Sequence, residues 1–419
     1  MAEAMIANRL RTFSKPLVLL ALMGLVPILA LAVDGASTAS KRSVQRTDFL
    51  AAAYLPGLER IVVTGHHGLV GMLEVGESSA QLHLIADVPN EDFTALGKMS
   101  DSDVLIGSST GRVYWFDGKT IEFIAALSEY DEPVLDISAE GGNVWAVGGR
   151  GLLARSTDGR EFEVIDLTER EVKQPQVRFV GDHEADWYLG ISNLRPDSIK
   201  FSATVGGKPA ETPAHYEVLA DEGFVQVVTP LDQDPPATIE LDFNPGPPFR
   251  PGDVSWNAVL VESGKVTIAG EFGMILQSED NGATWVRRDT EIVPHEPEPP
   301  YWLAGVQKGD EMWLTGAGGV SQVSHDGGKT WSDNPSSGNE GIFGVTIGDD
   351  GKAFIAGAVG LIGRLDGGKW QLADRTTLKL LSWLKTPVAM PDGSLVVTGG
   401  RATAIRYSDG EWARVPVKF

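Results

Sequence analysis

The chain has 419 residues, 42% hydrophobic and 22% charged, ordinary proportions for a protein with a sizeable packed core rather than a disordered one. Its formal charge of −22 argues against binding to nucleic acid, which requires a clustered basic face. There are no cysteines, so disulfides, thiolate metal sites and cysteine nucleophiles are excluded together.

The first element in chain order is PLVLLALMGLVPILALAV, residues 16–33, an uncharged run preceded by Arg9, Arg11 and Lys15. Positive charge ahead of such a run holds its start in the cytoplasm and directs the rest of the chain across the membrane. Ala30-Leu31-Ala32 reads as a cleavage site, whereas the run exceeds the ~7–15 residues of a signal core. Residues 1–33 are therefore expected to form an N-terminal membrane anchor or signal peptide, with retention favoured. The soluble part is expected on the periplasmic, exoplasmic side of an inner membrane, after a linker over 34–48.

From residue 49 a unit recurs: an apolar run ending in glycine, a short turn, and a second apolar run. Its copies are VVTGHHGLVGML, VLIGSSTGRVYW, VWAVGGRGLLARS, VTIAGEFGMILQS, MWLTGAGGVSQVS, AFIAGAVGLIGRL and LVVTGGRATAIRY. The marker glycines are Gly65, Gly107, Gly148, Gly270, Gly316, Gly357 and Gly399. Except between the third and fourth, they are spaced by about 42 residues, the period of a four-stranded propeller blade. The runs are rich in β-branched residues and no segment sustains helical periodicity, so strands are expected. The fold class is thus all-β: a seven-bladed β-propeller with blades 1–3 over 49–166 and blades 4–7 over 252–419. In the last blade the four strands are expected at LLSWLKT, LVVTG, TAIRY and EWARVPV. The intervening 167–251 lacks the glycine turn and offers WYLGIS, DSIKFSATVG, HYEVLA, FVQVVTP and ATIELDF, read as a small inserted β-sandwich.

Strand alternation places the glycine turns and the connections between blades at one end of the ring, with the insertion rising there. At the other end lie two octets, SEDNGATW (278–285) and SHDGGKTW (324–331), with degraded forms at Asp117-Gly118, Asp158-Gly159, Asp366-Gly367 and Asp409-Gly410. A catalytic acid is needed once, whereas an acid, a glycine and an aromatic used in six blades point to a turn. Asp280, Gly282, Trp285, Asp326, Gly328 and Trp331 are accordingly expected to be structural.

These octets resemble the BNR repeat, or Asp-box, of the sialidase-like repeat class. With the glycine turns around them, over about 50–166 and 252–419, they are similar to the photosystem II stability/assembly factor-like propeller family. The resemblance implies an exported propeller that is not an enzyme and accompanies integral membrane proteins. In non-photosynthetic bacteria such relatives occur beside RND-superfamily exporters, which makes an RND transporter a candidate partner. The assembly factors carry a basic patch at the glycine-turn end, where this chain offers only Arg150 and Arg401.

The alternative is a sialidase-like glycoside hydrolase or a carbohydrate-binding propeller. Sialidases need an arginine triad, a tyrosine nucleophile with a paired glutamate and an acid/base aspartate. An arginine after a phenylalanine is expected there on an early strand, yet the one such pair, Phe249-Arg250, follows the insertion. His66 and His67 share a turn without a sequence-placed third ligand, so no metal and no cofactor are expected. The candidate partner-binding residues are His66, His67, Arg150, Glu271, Phe272, Glu296, Glu298 and Arg401. The acidic connections around Glu91, Asp92, Glu129, Asp131, Glu132 and Glu291 read either as the exposed acids any acidic protein shows in its loops or as a surface that steers a basic partner.

Overall fold

In the computed structural model, the residues described are 48–170, 172–179, 183–188, 199–220, 222, 224–242, 254–288, 291–292 and 300–419. The expected anchor, the pair Phe249-Arg250, Glu296 and Glu298 lie outside them. No helix among the described residues is long and apolar enough to cross a membrane.

Seven antiparallel blades follow one another along the chain. Their first strands are Phe49–Leu55, Phe93–Lys98, Val134–Glu140, Trp256–Glu262, Trp302–Lys308, Ile342–Ile347 and Leu384–Ala389. Each of these touches the first strand of the next blade, and the seventh touches the first, so they form a closed inner ring. Each blade then runs outward through three more strands. The ring is fastened at its rim: Val417–Lys418, after the last blade, pairs parallel with Ala80–Gln81 on the outer strand of blade 1. Apolar clusters fill the spaces between blades, as with Leu55, Val62 and Phe93 between blades 1 and 2. Burying both faces of each blade in this way is what makes the ring stable.

The marker glycines have a steric cause. At Gly65, Gly148, Gly270, Gly316, Gly357 and Gly399 an added Cβ would lie 2.0–2.4 Å from the carbonyl oxygen of the residue just before the blade's first strand. Five of those carbonyls accept an N–H from the residue after the marker, as Pro133 O does from Gly149 at 3.0 Å and Trp383 O from Gly400 at 2.9 Å. The turn and the connection between blades are thereby stitched together at one end. Beside that stitch each first strand carries a bulge, which inserts Leu50, Thr94, Leu135, Asn257, Leu303, Phe343 and Lys385, all half-buried, into the inner ring.

The octets form the hairpin turns at the other end. Asp326 Oδ1 accepts the Thr330 N–H at 2.9 Å and its Oδ2 accepts the Thr330 hydroxyl at 2.6 Å, while Ser324 Oγ accepts the Gly328 N–H at 2.8 Å. Asp280 and Ser278 repeat this with Thr284 and Gly282. Burial alone would raise the Asp326 carboxyl, but these hydrogen bonds hold it below the ordinary value. Gly282 and Gly328 have φ of +86° and +83°. A Cβ on Gly282 would fall 2.3 Å from the Trp145 ring, and Trp285 stacks edge-on against that ring at 5.8 Å.

Two elements depart from the sequence reading. The first strand of blade 7 begins at Leu384, and Leu380–Trp383, read as strand, belongs to the connection. The inserted strands do not stand apart from the ring. Val172–Phe179, a strand whose proline and charges hid it, pairs parallel with the outer strand of blade 4 at Trp285 and Val286. Thr238–Asp242 and Lys200–Ser202 extend that sheet further outward, and a second sheet comprises Trp187–Tyr188, Phe224–Val227 and Tyr216–Leu219. The insertion therefore continues blade 4 at its rim, where the expectation had it rising from the glycine-turn end.

Candidate functional site

Each stitched turn needs a sharp reversal two residues after the marker glycine, and the backbone there is left-handed. In blades 1, 3, 4, 6 and 7 this position holds His67, Arg150, Phe272, Val359 and Arg401, with φ between +50° and +60°; blade 5 has Gly318 at +68°. Glycine would fit at no cost, whereas a side chain there costs on the order of 1 kcal/mol, and more for the β-branched valine. Five blades thus hold an exposed side chain in strained backbone at the same end. Arg150 is 71% exposed, Val359 62% and Phe272 41%. Blade 2, with the longer turn Ser108-Ser109-Thr110-Gly111, has no equivalent.

The same end gathers exposed apolar side chains from the connections and the turns. Tyr301, Val320 and Leu381 join Phe272 and Val359 over blades 4–7, with Leu381 81% exposed, and Tyr130 stands before blade 3. The other large exposed apolar residues, Leu84, Phe123, Val164 and Leu372, lie on outermost strands, and Val228 lies in the insertion. Lone apolar residues on a surface need no explanation, but successive blades presenting them at one end mark a candidate interaction face.

The predicted site residues divide into two groups. His67, Arg150, Phe272 and Arg401 project from the turns. His66 and Glu271 are spent on the scaffold. His66 Nδ1 lies 2.9 Å from Asp92, whose other oxygen accepts the His67 N–H at 2.8 Å. Glu271 accepts the Ser255 N–H and the Tyr301 hydroxyl, both at 2.8 Å. Some of the acids in the connections are occupied as well, whereas Glu129 and Asp131 are exposed. Glu91 binds Thr110, Arg112 and Tyr114, Glu132 accepts from Ser128 and lies 3.6 Å from Arg150, and Asp48 accepts the Arg401 N–H at 2.7 Å. The charge of Glu91, Asp92 and Glu132 balances local donors first, which weakens the reading that these three steer a partner. Tyr301, Val359 and Leu381 escaped the sequence reading. Aligning the turns would have found Val359 beside Phe272, but Leu381 sat in a segment read as strand.

A tyrosine paired with a glutamate is one requirement of the hydrolase alternative, and the fold holds two such pairs, Tyr301 with Glu271 and Tyr114 with Glu91. Burial, and then the neighbouring carboxylate, push both phenols up to about 12. Among the described residues no group of three or more acids and histidines could hold a metal.

No family model matches the chain, and no curated protein sequence is significantly similar to it. Solved structures do share its fold. The structure described as YCF48 bound to D1 peptide is 11% identical with a TM-score of 0.51, over 86% of this chain and 92% of that one. The WD40 β-propeller domain of Doa1 is 8% identical with a TM-score of 0.54, covering 87% and 93%. A streptogramin B lyase is 12% identical with a TM-score of 0.51, covering 80% and 86%. At such identities the likeness extends to the propeller fold. A peptide-binding protein and an enzyme share it equally, so function must come from the site.

Proposed function

We propose that the chain is an exported, membrane-anchored, non-catalytic propeller that acts as an assembly factor or accessory subunit of an integral membrane complex. One observation carries this reading: side chains on strained turns, with apolar neighbours, collect at a single end of a rigid ring. Loops over such a scaffold usually carry function, and strained backbone that glycine would relieve persists where its side chain is used. A YCF48 propeller holds a D1 peptide, which lends support to protein recognition by this fold. The apolar run at 16–33 supports the anchor and the periplasmic placement. The octet geometry supports their assignment as Asp-boxes of the BNR class, and an RND-superfamily transporter is the partner that the resemblance suggests. Phe201 lies between Trp187 at 5.2 Å and Tyr216 at 4.4 Å, across the two sheets of the insertion, which supports a sandwich-like module fused to blade 4.

Affinity purification of the full chain from membranes in mild detergent tests the reading. Mass spectrometry is expected to find an integral membrane protein in near-equal amount. A monomer that turns over sialosides or other glycosides would overturn it.

A further inference from the structure

Between the connection into blade 7 and that blade's glycine turn lies a cleft of about 70 Å³, lined by Lys379, Leu381, Ser382, Arg401, Thr403 and Arg414. Three cations thus converge in a chain of net charge −22. None of the three has a carboxylate within 4 Å among the described residues, although most arginines here, such as Arg364 and Arg406, are paired. Asp48, beside this turn, gives one oxygen to the Arg401 backbone N–H at 2.7 Å and has the other 3.9 Å from His66. Converging like charges repel one another, so an acidic protein gains nothing from the arrangement unless an anion completes it.

The backbone adds an independent observation. Lys379 and Arg401 both lie in the left-handed region, with φ of +53° and +60°. Arg414 is held in place by its own donation to Lys379 O at 3.0 Å. The cations are therefore set by the main chain rather than by acidic partners, and Thr403 Oγ1 is fixed beside them by Gly400 O at 2.7 Å. At the lip stands Leu381, the most exposed large apolar side chain described, with Val359 on the next turn.

Resting on the protein-docking reading above, we propose that this cleft seats a carboxylate carried by an otherwise apolar, uncharged segment of the partner protein. Guanidinium groups match a carboxylate in geometry as well as charge, and the neighbouring apolar turns take the flanking side chains. An anionic lipid surface presents the same charge many times over, and a body of this net charge would be repelled from it. A single carboxylate on a neutral segment meets the local cations without that penalty. It can come from the end of a chain or from an Asp or Glu side chain, and the cleft's chemistry serves both.

The test is calorimetric titration of the full-length protein in detergent with three forms of the peptide acetyl-Ser-Val-Ala-Leu-Ser-Val-Leu. One ends in a free carboxylate, one in an amide, and one is amidated with Glu in place of the last Leu. At least one acidic form is expected to bind about tenfold more tightly than the neutral amide, corresponding to about 1.4 kcal/mol. Which acidic form gains identifies the source of the carboxylate. Added salt should shrink the difference, and Arg401→Gln combined with Arg414→Gln should erase it. Both arginines are exposed, so an unchanged thermal melt is expected; Lys379→Gln, tested alone, should halve the preference or more. The proposal is overturned if the amide binds as well as the acids, if no peptide binds, or if the double variant keeps the preference. Selective binding to phosphatidylglycerol vesicles would also overturn it. Equal binding of all three peptides, lost in Phe272→Ser, would remove the carboxylate seat while leaving the docking face.

Discussion

At the scale of single residues, side chains that look functional divide by what they are bonded to. Glu271 and Phe272 are adjacent in one turn, yet the acid is consumed by Ser255 and Tyr301 whereas the ring faces solvent. Sequence could not separate them, because the N–H and hydroxyl that Glu271 satisfies come from connections whose position depends on closing the ring. Asp136 shows the same dependence. It sits just after the bulge in blade 3, accepts N–H groups from Val259 of the next blade and from Ile137, and lies in the field of Lys385 from blade 7. Burial nevertheless pushes its carboxyl from 3.8 up to about 6. A carboxyl that binds its proton more tightly when folded favours folding at low pH. Its contribution is lost as pH rises from about 4 to about 6, after which the penalty is constant. Asp136→Asn removes the titration and keeps an acceptor for one of the two N–H groups; loss of the other does not itself vary with pH. In denaturant melts the variant should gain stability on the parent across that interval; a difference that does not change with pH would contradict the assignment.

At the scale of elements, the blades were legible because their pattern has a steric cause. Six marker glycines are fixed by carbonyls that leave no room for a Cβ, so the spacing survives wherever the stitch does. The octets were legible for a related reason: an acid, a left-handed glycine and a buried ring are each demanded by one hairpin. Gly282→Ala tests this. With φ at +86° and the Trp145 ring 2.3 Å from the new Cβ, it should cost about 2 to 4 kcal/mol by equilibrium denaturation; a cost below about 1 kcal/mol would mean the blades do not meet there. Hidden elements were those paired at a distance. Val172–Phe179 contains Pro175 and lies beside Trp285, more than 100 residues on, through a parallel pairing that leaves no local signature. Val417–Lys418 closes the ring by the same device on blade 1.

At the scale of the whole molecule, the two ends of the ring have different tasks. The octet end spends its acids and glycines on holding hairpins together. The opposite end stitches its backbone equally firmly, yet leaves His67, Arg150, Phe272, Val359 and Arg401 pointing outward from strained turns. Sequence pointed to the glycine-turn end and named Phe272 and the two arginines, which do project there, but it could not show that the apolar residues run from blade 4 to blade 7 beside a cationic cleft. The most direct measurement compares partner capture by three forms of the full-length protein. The account predicts that the parent and an outer-strand variant, Phe123→Ser with Val164→Ser, recover the same integral membrane protein in equal amounts, while Phe272→Ser with Val359→Ser loses at least about tenfold of it. Equal recovery by all three would contradict the assignment of the docking face to the glycine-turn end.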